Sequence, residues 1–198
     1  MKFYYFARRL VYFAFFFIFK LNVYGIENIP KNGKSVICSN HASMLDPVFL
    51  GLSIKRQIFF MTKKEMFKNK LLSFILKKLG TIPVDREAAD LSAVKKSINI
   101  LKQENLLGIF PEGTRVKQMS LDNAKPGIGM ICIKGKSPVI PVYIDSDYKF
   151  FGKVNVYIGN SIDFSSLYTQ KLSVEKYTNI SKTILEKIYE LKNNIYKY

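Results

Sequence analysis

Short apolar runs alternate with helical periodicities along most of this chain, and this alternation restricts the possible folds more than any other feature. Runs that predict buried strands lie at 35–39, 58–61, 106–110, 139–144 and 154–158. Apolar residues spaced three or four apart predict helices, most clearly over 91–101 and 177–195. The order predicts an α/β fold with a single central, mostly parallel or mixed sheet flanked by helices. Ligands in such folds bind at the carboxyl ends of strands.

Length and composition predict one domain with a core of its own. The 198 residues are 48% hydrophobic, which excludes a disordered tail or a small disulfide scaffold. Cys38 and Cys132 lie among apolar residues without metal-ligand spacing, which predicts buried thiols, a reducing compartment and no metal site. Because no repeat or linker divides the remainder, we expect residues 25–198 to form one domain behind an N-terminal segment, 1–24.

The charge balance predicts a polyanionic partner. Thirty-one Lys and Arg against 15 Asp and Glu give a net charge of +16. Nucleic acid, an anionic membrane surface and an acidic protein are all compatible with it. Aromatic residues concentrate near the amino terminus instead of interleaving with basic ones, which argues against nucleic acid. A lysine-rich amphipathic stretch, 63–78, is typical of a membrane surface, of a contact with an acidic carrier protein, or of a solvated helix face.

The N-terminal segment contains an unbroken apolar run, 10–19, between Arg9 and Lys20. A helix of this length covers about 15 Å, half the hydrocarbon core of a bilayer, so it is too short to span. Flanking charges and crowded aromatics predict an interfacial membrane anchor over 1–24, with Arg8 and Arg9 facing anionic lipid. The expected location is the cytoplasmic face of the plasma membrane, as a monotopic or peripheral protein. A core helix is the alternative.

The single histidine of the chain, His41, follows the first predicted strand directly. A histidine that accepts a proton at neutral pH needs a carboxylate to fix its tautomer, and Asp46 is five residues away. Five residues on a helix place side chains about 140° apart, so a strand-to-helix turn must bring the two together. Asp46-Pro47 predicts such a turn, with Asp46 as the N-cap and Pro47 first in the helix. A structural histidine and a purely capping aspartate remain the alternatives.

Three further segments accompany the histidine motif, 40–46. The segment 110–115, Phe-Pro-Glu-Gly-Thr-Arg, follows a predicted strand and therefore shares an edge with His41 if the two strands are parallel. The others are 80–86, Gly-Thr-Ile-Pro-Val-Asp-Arg, and 139–142, Val-Ile-Pro-Val. Lysine is the default cation of this chain, yet both Arg86 and Arg115 fall in these segments. Arginine binds phosphate through a planar fork, although surface ion pairs with Asp85 or Glu112 are the simpler explanation.

These four segments, in this order, resemble the glycerophospholipid acyltransferases, most closely the bacterial 1-acylglycerol-3-phosphate branch of that family. The resemblance covers roughly residues 20–160. It implies that His41 is the catalytic base and Asp46 its partner. It further implies transfer of a fatty acyl group from an acyl carrier protein or coenzyme A thioester to lysophosphatidic acid, which gives phosphatidic acid in phospholipid biosynthesis. The thioester is then a co-substrate, and no cofactor or metal is expected.

The resemblance also implies a set of substrate-binding residues. Two arginines would bind the acceptor phosphate, and the neighbouring motif would shape the acceptor site, giving the set Lys63, Arg86, Glu112, Gly113, Thr114 and Arg115. Lys64 is a rival to Lys63 for the further basic contact. Pro83 stands where the family more often has phenylalanine, and Ala124 stands where an aromatic residue is usual.

The sequence leaves several alternatives open. Ser43 could form an acyl-enzyme with His41, but alternate residues on a tight turn point apart and the chain has no Gly-x-Ser-x-Gly motif. The acceptor could be another lyso-lipid or glycerol phosphate. A non-enzymatic protein that binds anionic lipid, with a structural His41, is the alternative of a different class.

Overall fold

The computed structural model describes residues 2–85, 90–116 and 118–193. Within these ranges the chain forms a single seven-stranded sheet in the order β1-β7-β6-β2-β5-β3-β4. The strands are β1 (Lys20–Tyr24), β2 (Ser35–Ser39), β3 (Ile58–Lys63), β4 (Ile82–Val84), β5 (Leu106–Ile109), β6 (Val139–Asp145) and β7 (Lys153–Ile158). The predicted α/β architecture with a mixed central sheet is confirmed.

All described neighbouring strands are parallel except β6 and β7, which form an antiparallel hairpin. The registers align the ends of the central strands: Val36 of β2 pairs with Leu107 of β5 and with Val139 of β6. Because β2, β5 and β3 run in the same direction, the loops after them leave from one edge of the sheet. The loops after β2 and β5 carry His41 and the 110–115 motif, and Lys63 is the last residue of β3.

Six α-helices among the described residues surround the sheet: α1 (Lys2–Phe16), α2 (Asp46–Ser53), α3 (Lys70–Lys78), α4 (Leu91–Lys102), α5 (Pro126–Gly135) and α6 (Val174–Asn193). Local sequence explains where several of them begin. The Asn69 side chain accepts the Leu72 N–H, which caps α3, and the Asp90 side chain accepts the Ala93 N–H, which caps α4. Pro126 begins α5, where its missing N–H costs no hydrogen bond.

Two apolar cores lie on opposite faces of the sheet because side chains alternate along each strand. In β2, Val36 and Cys38 face a core shared with α4, α5 and α6, whereas Ile37 faces a core shared with α2. All three side chains are fully buried. Phe49 of α2 anchors the second core and is 1% exposed. Burial on both faces explains why the central strands appear as continuous apolar runs in the sequence.

The five predicted strands are all present, with ends that shift by at most two residues. The strands β1 and β4 were not predicted. β4 contains only three residues, and its middle residue is Pro83. Proline removes a backbone donor and is tolerated on an edge strand, which is where β4 lies. The departure from the usual phenylalanine at this position is therefore compatible with the sheet.

The prediction of a membrane anchor over 1–24 is not supported as a single unit. Residues 20–24 form β1, which pairs in parallel with β7 at the edge of the sheet. The expectation for Arg8 is also corrected: its Nε donates to the Gly51 carbonyl at 3.0 Å and its Nη2 to the Leu52 carbonyl at 2.7 Å, at the end of α2. Arg9 is exposed. No helix within the described residues is long and apolar enough to cross a bilayer.

The two cysteines are buried and unpaired, as predicted. Burial raises the pKa of Cys132 to about 12 and also raises the pKa of Cys38. Because the thiolate is the reactive form, both thiols are unreactive core residues.

Candidate active site

The candidate site begins where β2 ends. Asn40, the next residue, joins β2 to β6: its Nδ2 donates to the Ile144 carbonyl at 3.0 Å, and its Oδ1 accepts the Ile144 N–H at 2.7 Å. Asn40 is 7% exposed, so both bonds are shielded from water. They fix the position at which the chain leaves the sheet. His41 therefore starts from a rigid strand end.

His41 and Asp46 form the predicted pair, with Nδ1 of the ring 2.8 Å from Oδ2 of the carboxylate. Both side chains are buried, and Asp46 is 1% exposed. An ionised carboxylate only accepts hydrogen bonds, so the proton of the neutral ring lies on Nδ1. Nε2 is then left as the basic nitrogen, which is the arrangement that general base catalysis requires.

The turn between the two residues differs from the prediction in one respect. Leu45 is the N-cap of α2 and Asp46 is its first residue, so the predicted capping role of Asp46 is wrong. Its Oδ2 instead accepts the N–H groups of Ala42 and Ser43, each at 2.7 Å. The carboxylate therefore points back into the loop. This orientation, and not helical spacing, brings it to the histidine five residues earlier.

Phe110 and Asp46 contact the imidazole on different sides. The Phe110 ring stacks on the ring of His41 with centroids 4.2 Å apart and an interplanar angle of 22°. Phe60 lies beyond Phe110, nearly parallel to it at 6.1 Å. Aromatic stacking and the carboxylate bond together restrict the ring to one orientation.

Glu112 lies behind the histidine loop. Its Oε2 accepts the backbone N–H of His41 at 2.7 Å, and its Oε1 accepts the hydroxyl of Tyr189, on α6, at 2.9 Å. The residue is 1% exposed, and burial raises the pKa of Glu112 to about 7, although the two hydrogen bonds act in the opposite direction. Glu112 does not line the cavity described below. It therefore supports the backbone of His41, whereas the resemblance implied that it shapes the acceptor site.

The raised pKa of Glu112 predicts a pH-dependent stability. At pH values between 4.5, which is the ordinary pKa of this group, and about 7, Glu112 keeps its proton in the folded protein. In the unfolded chain the same carboxyl group has already released it. The raised pKa therefore contributes to the stability of the folded protein. This contribution is fully present below the ordinary pKa of 4.5 and is lost as the pH rises through about 7. Relative to Glu112→Gln, we expect the free energy of unfolding to fall by about 1–3 kcal/mol between about pH 4.5 and 8. Urea unfolding of both proteins across this range measures the difference, and a constant difference would show that Glu112 ionises normally.

A cavity of about 590 Å³ opens beside the His41 ring. Its walls come from α1, α2, β3, α3 and the loop after β5. The cationic residues on the walls include Arg8, Lys63 and Arg115, and the Arg8 guanidinium donates to the carbonyls at the end of α2. Most of the other lining residues are apolar: Ala7, Val11, Met44, Val48, Leu52, Ile58, Phe60, Met61, Met66, Leu76, Leu79 and Phe110. A concave apolar volume with a few polar groups is the usual form of a small-molecule site.

The predicted basic residues divide between the cavity and the surface. Lys63 and Arg115 line the cavity, whereas Lys64 pairs with Asp85 and is absent from its walls. The geometry thus favours Lys63 over its rival. Lys63 is 44% exposed and lies 3.8 Å from Glu65. Arg86 lies outside the described residues.

The remaining residues of the 110–115 motif are not on the cavity wall. Thr114 is exposed on the loop. Gly113 has a φ of +67°, a left-handed conformation that favours glycine, and its N–H donates to the Phe110 carbonyl at 3.0 Å. The structure therefore assigns Gly113 to the turn that presents Arg115, and it does not bring Thr114 to the other predicted residues.

Ser43 is not arranged as a nucleophile. Its hydroxyl oxygen accepts the Leu45 N–H at 3.2 Å. Within the described part of the chain, no hydrogen bond joins it to the His41 ring. A nucleophile must contact its base, so the acyl-enzyme alternative loses its geometric basis.

Three side chains that contact His41, Asp46 or Glu112 were not predicted from the sequence. Tyr148 donates its hydroxyl to Oδ1 of Asp46 from 102 residues away, and Tyr189 reaches Glu112 from 77 residues away. Phe110 was part of a motif, but nothing in the sequence indicated that it stacks on His41. Tertiary contacts of this kind leave no local pattern, so no single-sequence signal could have identified them.

The fold and the site together define the class of this protein. It is an α/β enzyme in which a histidine–aspartate pair at the carboxyl edge of the sheet faces an apolar cavity with cationic side chains. The chain belongs to the acyltransferase family, because the family model described as Acyltransferase matches residues 20–145.

Named relatives agree with this assignment. The chain is 34% identical over 184 residues to the 1-acyl-sn-glycerol-3-phosphate acyltransferase of Bacillus subtilis (strain 168), covering 88% of this chain and 89% of the relative. It is 29% identical to the enzyme of that name from Streptococcus pneumoniae, covering 80% of this chain and 61% of the relative. The crystal structure of the 1-acyl-sn-glycerophosphate acyltransferase PlsC from Thermotoga maritima is similar, with a TM-score of 0.69, 25% identity, and coverage of 96% of this chain and 78% of that chain.

Proposed function

We propose that this protein transfers a fatty acyl group from an acyl thioester to the free hydroxyl of 1-acylglycerol-3-phosphate and so forms phosphatidic acid. One observation carries the proposal: the His41 ring, bonded to Asp46, lines an apolar cavity together with Arg115 and Lys63. The base, the apolar volume and the cations Lys63 and Arg115 correspond to the hydroxyl, the acyl chain and the phosphate of this acceptor. The names of the relatives support the same substrate.

The chemistry follows from the position of the ring proton. Nε2 of His41 accepts the proton of the acceptor hydroxyl as that oxygen attacks the thioester carbonyl carbon. Asp46 stabilises the imidazolium that forms. The tetrahedral intermediate then expels the thiolate, which takes the proton from the imidazolium, so that one ester and one thiol result. No covalent intermediate on the protein is required.

The backbone donors for the oxyanion are restricted by the hydrogen bonds of the loops. The N–H groups of His41, Ala42 and Ser43 donate to carboxylates, and that of Gly113 donates to a carbonyl. None of these four is free to bind the oxyanion of the intermediate in this arrangement. The N–H groups of the turn at His41 and of the glycine turn are thus used to hold the loops.

We further propose that the enzyme works as a monotopic or peripheral protein at the cytoplasmic face of the plasma membrane, where its lipid acceptor resides. The exposed aromatic side chains of α1 and the net charge of +16 support contact with an anionic membrane surface. The acyl donor would be a thioester of coenzyme A or of an acyl carrier protein. Comparing turnover with the two donors distinguishes them.

Thiol release tests the proposed activity directly. Purified protein is mixed with lysophosphatidic acid and either donor thioester, and the free thiol and the lipid product are followed over time. We expect phosphatidic acid and thiol in equal amounts. Thiol release without phosphatidic acid would indicate a different acceptor, and no turnover with either donor would favour a lipid-binding protein without activity.

Lys63 and Lys64 offer a matched pair for testing the phosphate site. Lys63→Ala removes a cation from the cavity wall, and a charge-assisted hydrogen bond to phosphate contributes about 1.5–3 kcal/mol. We therefore expect KM for lysophosphatidic acid to rise about tenfold or more. Lys64→Ala, which breaks the surface pair with Asp85, should change KM less than about twofold. Equal effects of the two substitutions would contradict the assignment.

A further inference from the structure

The tip of the β6–β7 hairpin, residues 146–152, exposes two phenylalanines beside α1. Phe150 and Phe151 are 78% and 83% exposed. The tip is hydrogen-bonded to the segment that follows α1: the Phe151 N–H donates to the Ile18 carbonyl at 2.7 Å, and the Lys20 N–H donates to the Gly152 carbonyl at 3.0 Å. The hairpin tip and the end of α1 therefore form one continuous surface.

Five phenylalanines of this surface, here called the aromatic surface, are each more than half exposed: Phe13, Phe16, Phe17, Phe150 and Phe151. Lys20, Lys149 and Lys153 are exposed around it, and Lys149 pairs with Asp147 on the same tip. The contact of contiguous aromatic side chains with water is unfavourable, and a patch of this kind marks an interaction site. Aromatic rings bordered by lysines match the interface of an anionic bilayer, where rings lie at the headgroup level and lysines contact phosphate.

We propose that the aromatic surface enters the headgroup region of an anionic bilayer and that the hairpin tip is a second lipid contact beside α1. The inference rests on the proposed function, because a lipid acceptor would then reach the cavity from the bilayer. A second copy of this chain is the other possible occupant. A symmetric pair would bring the same lysines face to face between two chains that each carry +16, which opposes association.

Binding to vesicles tests the surface in the full chain. We expect Phe150→Ser with Phe151→Ser to lower binding to phosphatidylcholine vesicles containing about one-third phosphatidylglycerol by about tenfold or more. Val174→Ser is the control, because Val174 is 65% exposed on α6, which covers the other face of the sheet. The control should bind as the parent does. Turnover of a short-chain, water-soluble lysophosphatidic acid should stay within about twofold in both variants.

The outcomes separate the two proposals. Unchanged vesicle binding of the double variant would overturn the lipid contact. So would a parent protein that sediments as a dimer and a double variant that sediments as a monomer, with vesicle binding intact in both. A different result would overturn the proposed function and leave the lipid contact intact. In that case the unaltered chain does not turn over the soluble acceptor, while the double variant still loses vesicle binding.

Tyr148, on the same hairpin tip, carries a second and independent inference. Its hydroxyl donates to Oδ1 of Asp46, and its ring lies against Phe19 and Phe49. Its backbone φ is +54°, a conformation that a tyrosine rarely adopts and that the surrounding contacts must maintain. Burial and the neighbouring Asp46 raise the pKa of Tyr148, so the hydroxyl keeps its proton and remains a donor.

We infer that Tyr148 is a positioning residue that orients the carboxylate of Asp46 toward His41. Tyr148→Phe keeps the ring and removes only the donor. We expect kcat to fall about five- to tenfold with KM unchanged. In an Asp46→Asn background the same substitution should have less than about a twofold effect, because its target is already lost. Tyr177→Phe, at a buried tyrosine of α6, should leave kcat unchanged. Equal effects of Tyr148→Phe in the two backgrounds would overturn the inference.

Discussion

Replacing His41 with glutamine is expected to lower kcat by about 10³-fold or more, because the base that takes the hydroxyl proton is lost. Glutamine keeps a polar side chain of similar reach next to Asp46, but its amide does not accept a proton at neutral pH. The backbone bond from residue 41 to Glu112, at 2.7 Å, does not depend on the side chain and should persist. Steady-state thiol release with saturating lysophosphatidic acid measures the change.

Controls for the His41 variant separate lost chemistry from lost structure. The ring of His41 stacks on Phe110 at 4.2 Å, so thermal unfolding must be compared with that of the parent. Vesicle binding should be unaffected, because the aromatic surface lies elsewhere. A folded His41→Gln protein with turnover within about tenfold of the parent would exclude His41 as the base and return the non-enzymatic alternative to consideration.

Asp46→Asn is expected to lower kcat by about 10²–10³-fold while the loop keeps its conformation. The amide oxygen can still accept the N–H groups of Ala42 and Ser43, which Oδ2 now accepts at 2.7 Å each. What disappears is the negative charge that stabilises the imidazolium in the transition state. The effect should therefore fall on kcat, with KM for both substrates nearly unchanged.

A surface aspartate provides the matched control for this substitution. Asp122→Asn alters a side chain that is 89% exposed and pairs with Lys182 at 3.4 Å. Its kcat should equal that of the parent, because exposed ion pairs contribute little. If Asp46→Asn lowered kcat no more than Asp122→Asn does, the carboxylate would have only the structural role of holding the loop.

Much of the fold could be predicted because both faces of the sheet are covered. Burial on both sides makes the central strands continuous apolar runs, and 35–39 was predicted with the ends that β2 has. The edge strands lack this signal: β4 has three residues, one of them Pro83, and β1 lies within a segment whose aromatic content indicated an anchor. Edge strands are buried less completely, so their patterns are weaker.

The arginines show the same limit at the level of single side chains. The sequence predicts that Arg8 contacts anionic lipid, yet the Arg8 guanidinium donates to the two carbonyls at the end of α2. Arg115, predicted from its motif, lines the cavity, as Arg8 also does. Guanidinium groups suit carbonyls and phosphates equally well, so composition alone could not distinguish the two environments.

The sequence by itself determined the α/β architecture and the proximity of His41 and Asp46, because periodicity and a short strand-to-helix turn are local properties of the chain. Only the tertiary structure decided that Glu112 supports the backbone of His41, and that Lys63 and not Lys64 lines the cavity. It also decided that the Tyr148 and Tyr189 hydroxyls donate to the carboxylates of Asp46 and Glu112. The physical reason is that these contacts join residues that the order of the strands in the sheet brings together. Because this order is set by the packing of the whole domain, no single position of the sequence indicates it.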